Sequence, residues 1–138
     1  SVSESQNERC NFTVDFNEIK QEFKTSILLI SHDLALVSNY ADRVSVMYAG
    51  HIAEEALSEE FFKNPMHPYS IALLNSLPST NPALKLKTIE GTPPNIQDNI
   101  TGCKFYPRCD LYKENICNIQ NPVLVEKKDK HFSACLIR

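Results

Sequence analysis

An α/β fold is predicted from three adjacent stretches of the chain. The apolar run TSILLIS, residues 25–31, has the composition of a parallel strand covered on both faces. Leu34, Val37 and Ala41, with Tyr40 beside them, follow at helical spacing. Val44, Val46 and Tyr48 then alternate within RVSVMYA, and Gly50 turns the chain into HIAEE, so a strand and a hairpin are expected. Strand, helix and strand in that order define the class.

The other elements follow from local chemistry. Residues 1–12 are polar, and Phe16, Ile19 and Phe23 recur within FNEIKQEF as on a short amphipathic helix. Ser58 is the expected N-cap of SEEFFKN, with Glu59 and Glu60 in its favourable first turn and Pro65 as its stop. Pro68 suits the first turn of a second helix through YSIALLNSL, with Ile71, Leu74 and Leu77 on one side and Pro78 and Pro82 closing it. From there to Asn99 the Pro and Asn content implies an extended linker, stiffest at Pro93-Pro94. The expected organisation is a polar segment 1–15, an α/β segment 16–57, a helical extension and linker 58–100, and a cysteine-bearing tail 101–138 with little periodicity. A strand pair and two or three helices cannot cover a parallel strand on both faces, so its edge is expected to need a further segment or a partner chain.

Composition excludes several functions. The 138 residues carry a net charge of −3, from 14 basic and 17 acidic side chains, with no basic run of the kind that marks nucleic-acid binding. Apolar runs fall far short of the ~20 residues that span a bilayer, and the polar residues 1–13 show no secretory signal. A cytoplasmic protein is expected, meeting a membrane only through partners. The three glycines, Gly50, Gly91 and Gly102, do not precede a Lys-Ser or Lys-Thr pair, so no phosphate-cradling loop is present.

Three groups of residues can carry chemistry. His32, in SHDL beyond the predicted strand, stands where open α/β sheets bind ligands and can donate to a terminal phosphate; alternatively it is a surface histidine in a turn capped by Asp33 or Ser31. His67 is a potential metal ligand, but no Asp, Glu, His or Cys lies three or four residues away, and fixing a helix start with Pro68 and Tyr69 is the stronger expectation. His51 and His131 read as surface residues. Cys103, Cys109, Cys117 and Cys135, separated by five, seven and seventeen residues, suit a tetrahedral metal site or an iron–sulfur cluster. Their spacing leaves two disulfides or unpaired thiols open as alternatives.

A resemblance sharpens these readings. ILLISHDLALVSNYADRVSVMYAGHIAE looks like the switch-histidine region of ATP-binding cassette (ABC) ATPases. NPMHPYSIALLNSLP at 64–78, then EGTPP, then GCKFYPRC, is similar to the C-terminal region of the ATPase subunits of bacterial oligopeptide, dipeptide and nickel importers, whose His-Pro-Tyr falls on His67, Pro68 and Tyr69. The resemblance runs over residues 16–138. It implies the C-terminal part of an ABC nucleotide-binding domain followed by a loop-rich, cysteine-bearing appendage. It implies that His32 senses the γ-phosphate of ATP and helps to position the attacking water. It assigns Cys103, Cys109, Cys117 and Cys135 to a 4Fe-4S cluster, with zinc as the alternative occupant. Phe105 and Pro107 would then shape and shield the loop, Arg108 would offset the thiolate charge, and Cys10 would be a free thiol. The implied partners are a second ATPase subunit, identical or paralogous, and membrane-embedded permease subunits, with the motor on the cytoplasmic face and oligopeptides or dipeptides, less often nickel, as the solute.

The family's phosphate loop, glutamine loop, signature segment and catalytic acidic pair should lie upstream of Thr25, and SVSESQNERCNFTVDF matches none of them. The site for ATP and Mg is therefore incomplete here, and hydrolysis by this chain alone is not expected. The rival reading is a stand-alone metal-binding, iron–sulfur or interaction module, or a truncated relic, without ATPase activity. Whether the coding sequence directly upstream specifies a phosphate loop separates the two.

Overall fold

A computed structural model describes residues 16–77, 89–95 and 98–138. Its organising element is a four-stranded antiparallel sheet. Strands β1 (Arg43–Tyr48) and β2 (His51–Leu57) form a hairpin, β3 (Val125–Lys128) and β4 (His131–Ser133) form another, and the order across the sheet is β1-β2-β4-β3. The first hairpin turns at Ala49 and Gly50, both at positive φ (46° and 79°), as a tight two-residue turn requires. Helices α1 (Phe16–Phe23), α2 (Leu34–Tyr40), α3 (Ser58–Lys63) and α4 (Pro68–Asn75) complete the regular elements.

The predicted alternation in β1 is observed: Val44, Val46 and Tyr48 are buried and their neighbours exposed. In β2 two successive residues, Ala53 and Glu54, are both buried. The ladder explains it, because Val46 pairs with Glu54 and Met47 with Ile52, leaving Ala53 as the extra residue of a β-bulge. One apolar cluster comprises Val44, Val46, Ala56 and Phe61, with Val37, Phe62, Tyr69 and Leu73 packed against it. A second comprises Tyr48, Ala53 and Phe105, joined by Tyr69, Ile89, Cys103 and Cys109.

Glu54 is fully buried, and its carboxylate accepts hydrogen bonds from the backbone N–H of Met66 (Oε1, 2.8 Å) and of His67 (Oε2, 2.7 Å). His131 Nε2 lies 2.6 Å from the same Oε1. One side chain of β2 thus satisfies two amides of the α3–α4 turn and holds β4, offsetting the cost of burying a carboxylate. His67 then caps α4: its Nδ1 accepts from Tyr69 N–H at 3.1 Å, and Pro68 occupies the first turn without losing a hydrogen bond. Tyr69 packs on Tyr48 (ring centroids 4.5 Å) and Phe105 (5.4 Å). The helix-starting role expected of His67, Pro68 and Tyr69 is what the geometry displays.

Four expectations are corrected. Residues 25–31 form no strand: Leu28 is 88 % and Ile30 90 % exposed, because no described strand lies alongside to complete a parallel ladder. The sheet is accordingly antiparallel, and the α/β class holds only as a mixture of helices and strands. Ser58 is the first residue of α3 rather than its cap, its N–H bonded to Asp42 C=O at 2.9 Å. The tail does form strands, β3 and β4, which join β2. His131 is fully buried rather than superficial, whereas His51 is exposed as expected. The expected closure of α4 by Pro78 and Pro82 lies outside the described residues. So does Cys10.

Burial lowers the pKa of His67 to about 4; the Glu54 charge and a hydrogen bond to the Ala134 backbone oppose the shift without cancelling it. The folded state therefore resists protonation that the unfolded chain accepts near pH 6.5. The neutral ring's contribution is complete above pH 6.5 and is lost as pH falls towards 4, by about 3 kcal/mol. His67→Asn keeps a capping oxygen without a titrating ring. In urea unfolding between pH 7 and pH 4 the stability of His67→Asn is expected to fall less steeply than that of the wild type, by roughly that amount; parallel profiles would contradict the burial account.

Candidate functional site

The cysteines stand on a loop fixed by backbone contacts. Cys103 N–H donates to Cys117 C=O (2.8 Å), Cys109 N–H to Tyr106 C=O (3.2 Å) and Cys117 N–H to Lys113 C=O (2.9 Å). Gly102, at φ 77°, is needed where the two arms meet: a Cβ there would lie 2.3 Å from Cys117 C=O. Its N–H donates to Asn121 Oδ1 at 3.1 Å, and Thr101 Oγ1 donates to Asn118 C=O at 3.1 Å. Between the first two cysteines, Tyr106–Arg108 forms a 3₁₀ turn, with Pro107 exposed. Cys135 follows β4, just after Ala134, whose N–H donates to Ala53 C=O at 2.8 Å.

None of the four cysteines is in a disulfide; Cys117 is buried and the others half-buried. Burial, with lesser contributions from Cys103, Cys135 and Cys117, pushes the Cys109 thiol up to about 11. Cys103 is raised by burial first and then by Cys135 and Cys117. Cys103 and Cys109 therefore resist ionisation, chiefly through burial, unless a cation joins them. Among the described residues, no three or more His, Cys, Asp or Glu side chains are arranged to hold a metal ion.

Phe105 is 3 % exposed and turns into the core, 5.2 Å from the Tyr48 ring centroid and 6.2 Å from that of His67. Arg108 reaches away along the linker: Nε donates to Glu90 C=O (2.9 Å), Nη2 to Ile89 C=O (3.2 Å) and Nη1 to the Tyr48 hydroxyl (3.1 Å). Its observed work is to pin residues 89–90 over β1, beside a cavity of about 380 Å³ that Pro93 and Pro94 also line. The expected role of Arg108 in balancing thiolates gives way to this contact.

His32 is exposed at the apex of a turn built around it. Asp33 N–H donates to Ser31 Oγ (3.0 Å), and Asp33 Oδ1 caps α2 by accepting from Ala35 N–H (2.9 Å) and Leu36 N–H (3.2 Å). His67 and the cysteines lie on the sheet and its loop; His32 belongs to the preceding segment. Sequence reasoning missed Glu54 and His131. The available signal was the pair Glu54-Glu55 within a strand otherwise patterned for burial, since one of two successive carboxylates must turn inward.

Residues 53–117, from β2 to Cys117, match the family "Oligopeptide/dipeptide transporter, C-terminal region". The chain is 44 % identical over 108 residues to the oligopeptide transport ATP-binding protein OppD of Salmonella typhimurium, covering 78 % of this chain and 32 % of that protein. It is 35 % identical over 119 residues to the dipeptide transport ATP-binding protein DppD of Caldanaerobacter subterraneus, covering 86 % and 36 %. With the oligopeptide transport ATP-binding protein AppD of Bacillus subtilis the identity is 40 % over 121 residues, covering 87 % and 37 %. The chain thus spans about a third of the length of these relatives. It belongs to the oligopeptide/dipeptide transporter ATP-binding family, whose C-terminal region contributes the His67-Pro68-Tyr69 helix, β2 and the loop bearing the first three cysteines.

Proposed function

We propose that this chain acts as the C-terminal part of the ATP-binding motor subunit of a peptide importer, working with a second such subunit and with permease subunits at the cytoplasmic face of the membrane. The observation that carries this reading is the match of residues 53–117 together with OppD, DppD and AppD, all of them ATP-binding proteins of oligopeptide or dipeptide transport. Within the motor His32 reads the γ-phosphate. The Ser31 and Asp33 bonds fix the backbone on both sides of it, so its exposed ring is presented without further ordering of the turn. Leu28 and Ile30 enter the sheet that the rest of the motor supplies, which accounts for their exposure. Phosphate binding and Mg coordination require groups outside this chain. Among the described residues no helix is long and apolar enough to cross a membrane, in keeping with attachment through permeases.

Cys103, Cys109, Cys117 and Cys135 hold a 4Fe-4S cluster in this reading. Four free cysteines, three on a hydrogen-bonded loop and one just after β4, are a suitable donor set. A single zinc ion, with Zn–S near 2.3 Å, draws four sulfurs to within about 3.8 Å of one another. The same four cysteines would serve zinc or a cluster, and metal content decides between them. When bound, the cluster supplies a covalent staple for a loop too small to build its own core.

A second reading, a stand-alone metal-binding or interaction module without ATPase activity, is favoured by one observation: α1 and α2 contain no buried residue, and the buried apolar residues lie on β1, β2, α3 and the cysteine-bearing tail.

Two experiments test the proposal. Anaerobically purified chain should contain about four irons and four sulfides with absorption near ~400 nm, lost in Cys103→Ser or Cys135→Ser; zinc alone, or no metal, would refute the cluster. In an assembled importer bearing this segment, His32→Ala should reduce ATP turnover by about a hundred-fold or more while nucleotide binding persists. Unaltered turnover would remove His32 from the site and favour the second reading.

A further inference from the structure

Three sequence motifs converge on one cavity: Tyr69 of His-Pro-Tyr, Pro93 and Pro94 of EGTPP, and Arg108 of GCKFYPRC. With Tyr48 they line about 380 Å³, within the ~300–1,000 Å³ typical of small-molecule sites. Neither the start of α4 nor the cysteine loop accounts for this space. Arg108 is fixed beside it, because a Cβ on Gly91, at φ 82°, would lie 3.3 Å from Arg108 Cγ. Three carbonyl and hydroxyl oxygens, of Glu90, Ile89 and Tyr48, also hold its guanidinium in place.

The polar side chains lining the cavity are donors without an acceptor. Those three bonds take one N–H from each nitrogen of Arg108, so Nη1 and Nη2 each keep another. The Tyr48 oxygen accepts from Arg108, and its own proton meets no acceptor among the described residues; nor does that of Tyr69. Burial raises the Tyr69 pKa, Tyr48 adds to the rise and Arg108 opposes it, so this hydroxyl stays protonated at neutral pH beside both. No carboxylate lines the cavity among the described residues; Asp98 borders an adjoining one and accepts from Asn95 N–H at 2.7 Å. The other walls, Met47, Ile89, Pro93 and Pro94, are apolar. We propose that this cavity binds a small organic carboxylate, its oxygens on Arg108, Tyr48 and Tyr69 and its apolar body against Ile89 and the two prolines. An inorganic anion would leave the apolar walls uncovered, and a neutral apolar molecule would leave the donors unmet. The ligand meets β1, α4, the linker and the cysteine loop at once. It requires neither ATP nor a metal, and so goes beyond the motor reading.

Calorimetric titration of the full chain with N-acetyl-leucine tests it, with N-acetyl-leucinamide and inorganic phosphate as controls. The acid should bind about ten-fold or more tightly than the amide, which lacks the charge, and more tightly than phosphate, which lacks the apolar body. Arg108→Gln should abolish binding. Because Arg108 also holds the linker, Tyr69→Phe decides the matter: it removes one oxygen, keeps the ring that packs on Tyr48 and Phe105, and should weaken the acid about ten-fold. No binding of the acid at millimolar concentration, equal binding of acid and amide, phosphate binding as tightly as the acid, or an unchanged affinity in Tyr69→Phe would each overturn the proposal.

Discussion

The arrangement depends on a carboxylate with nowhere to go but inward. The β-bulge at Ala53 turns Glu54 into the interior, where water is absent and each lone pair needs a donor. Two amides of the α3–α4 turn and the ring of His131 supply them. Elements far apart in the chain are thereby bound to one point: the first hairpin, the turn that launches α4, and the last strand. Phe61 and Ala56 add apolar burial beside it, but apolar contact has no direction. The hydrogen bonds choose which turn docks where.

From that point the functional groups follow. The end of β4 delivers Cys135 to the neighbourhood of the loop that carries Cys103, Cys109 and Cys117. Arg108, which the resemblance placed beside the thiolates, instead ties the linker at Ile89 and Glu90 to the hydroxyl of Tyr48, so the linker, the hairpin and the loop share one edge. The electrostatics run in the same direction. Cys103 and Cys109, held above the ordinary thiol range by burial first and by neighbouring cysteines second, gain most from a cation placed beside them.

Local chemistry was legible where it is decided locally. The alternation of Val44, Val46 and Tyr48, the turn at Gly50, and the Pro68 helix start all depend on near neighbours. What was not legible required distant partners. TSILLIS reads as a strand because of its composition, but a strand exists only beside another, and none of the described strands lies next to it. VEKK, the sequence of β3, shows no apolar alternation at all; its four residues are exposed, and it pairs because the following turn returns the chain to β4. His131 read as a surface residue since nothing nearby announces Glu54, 77 positions earlier. The cysteines were found by number and spacing, which name the donors but not their separation.

The claim that one buried pair joins the tail to the helix turn is tested most directly by a double-mutant cycle of Glu54→Gln and His131→Asn, read by urea unfolding. If the pair organises the sheet, the two changes are not additive, and the coupling energy should exceed about 1.5 kcal/mol. Additivity within about 0.5 kcal/mol would show that β4 is held by its backbone ladder and apolar contacts alone, and that the buried carboxylate does not join the cysteine tail to the helix turn.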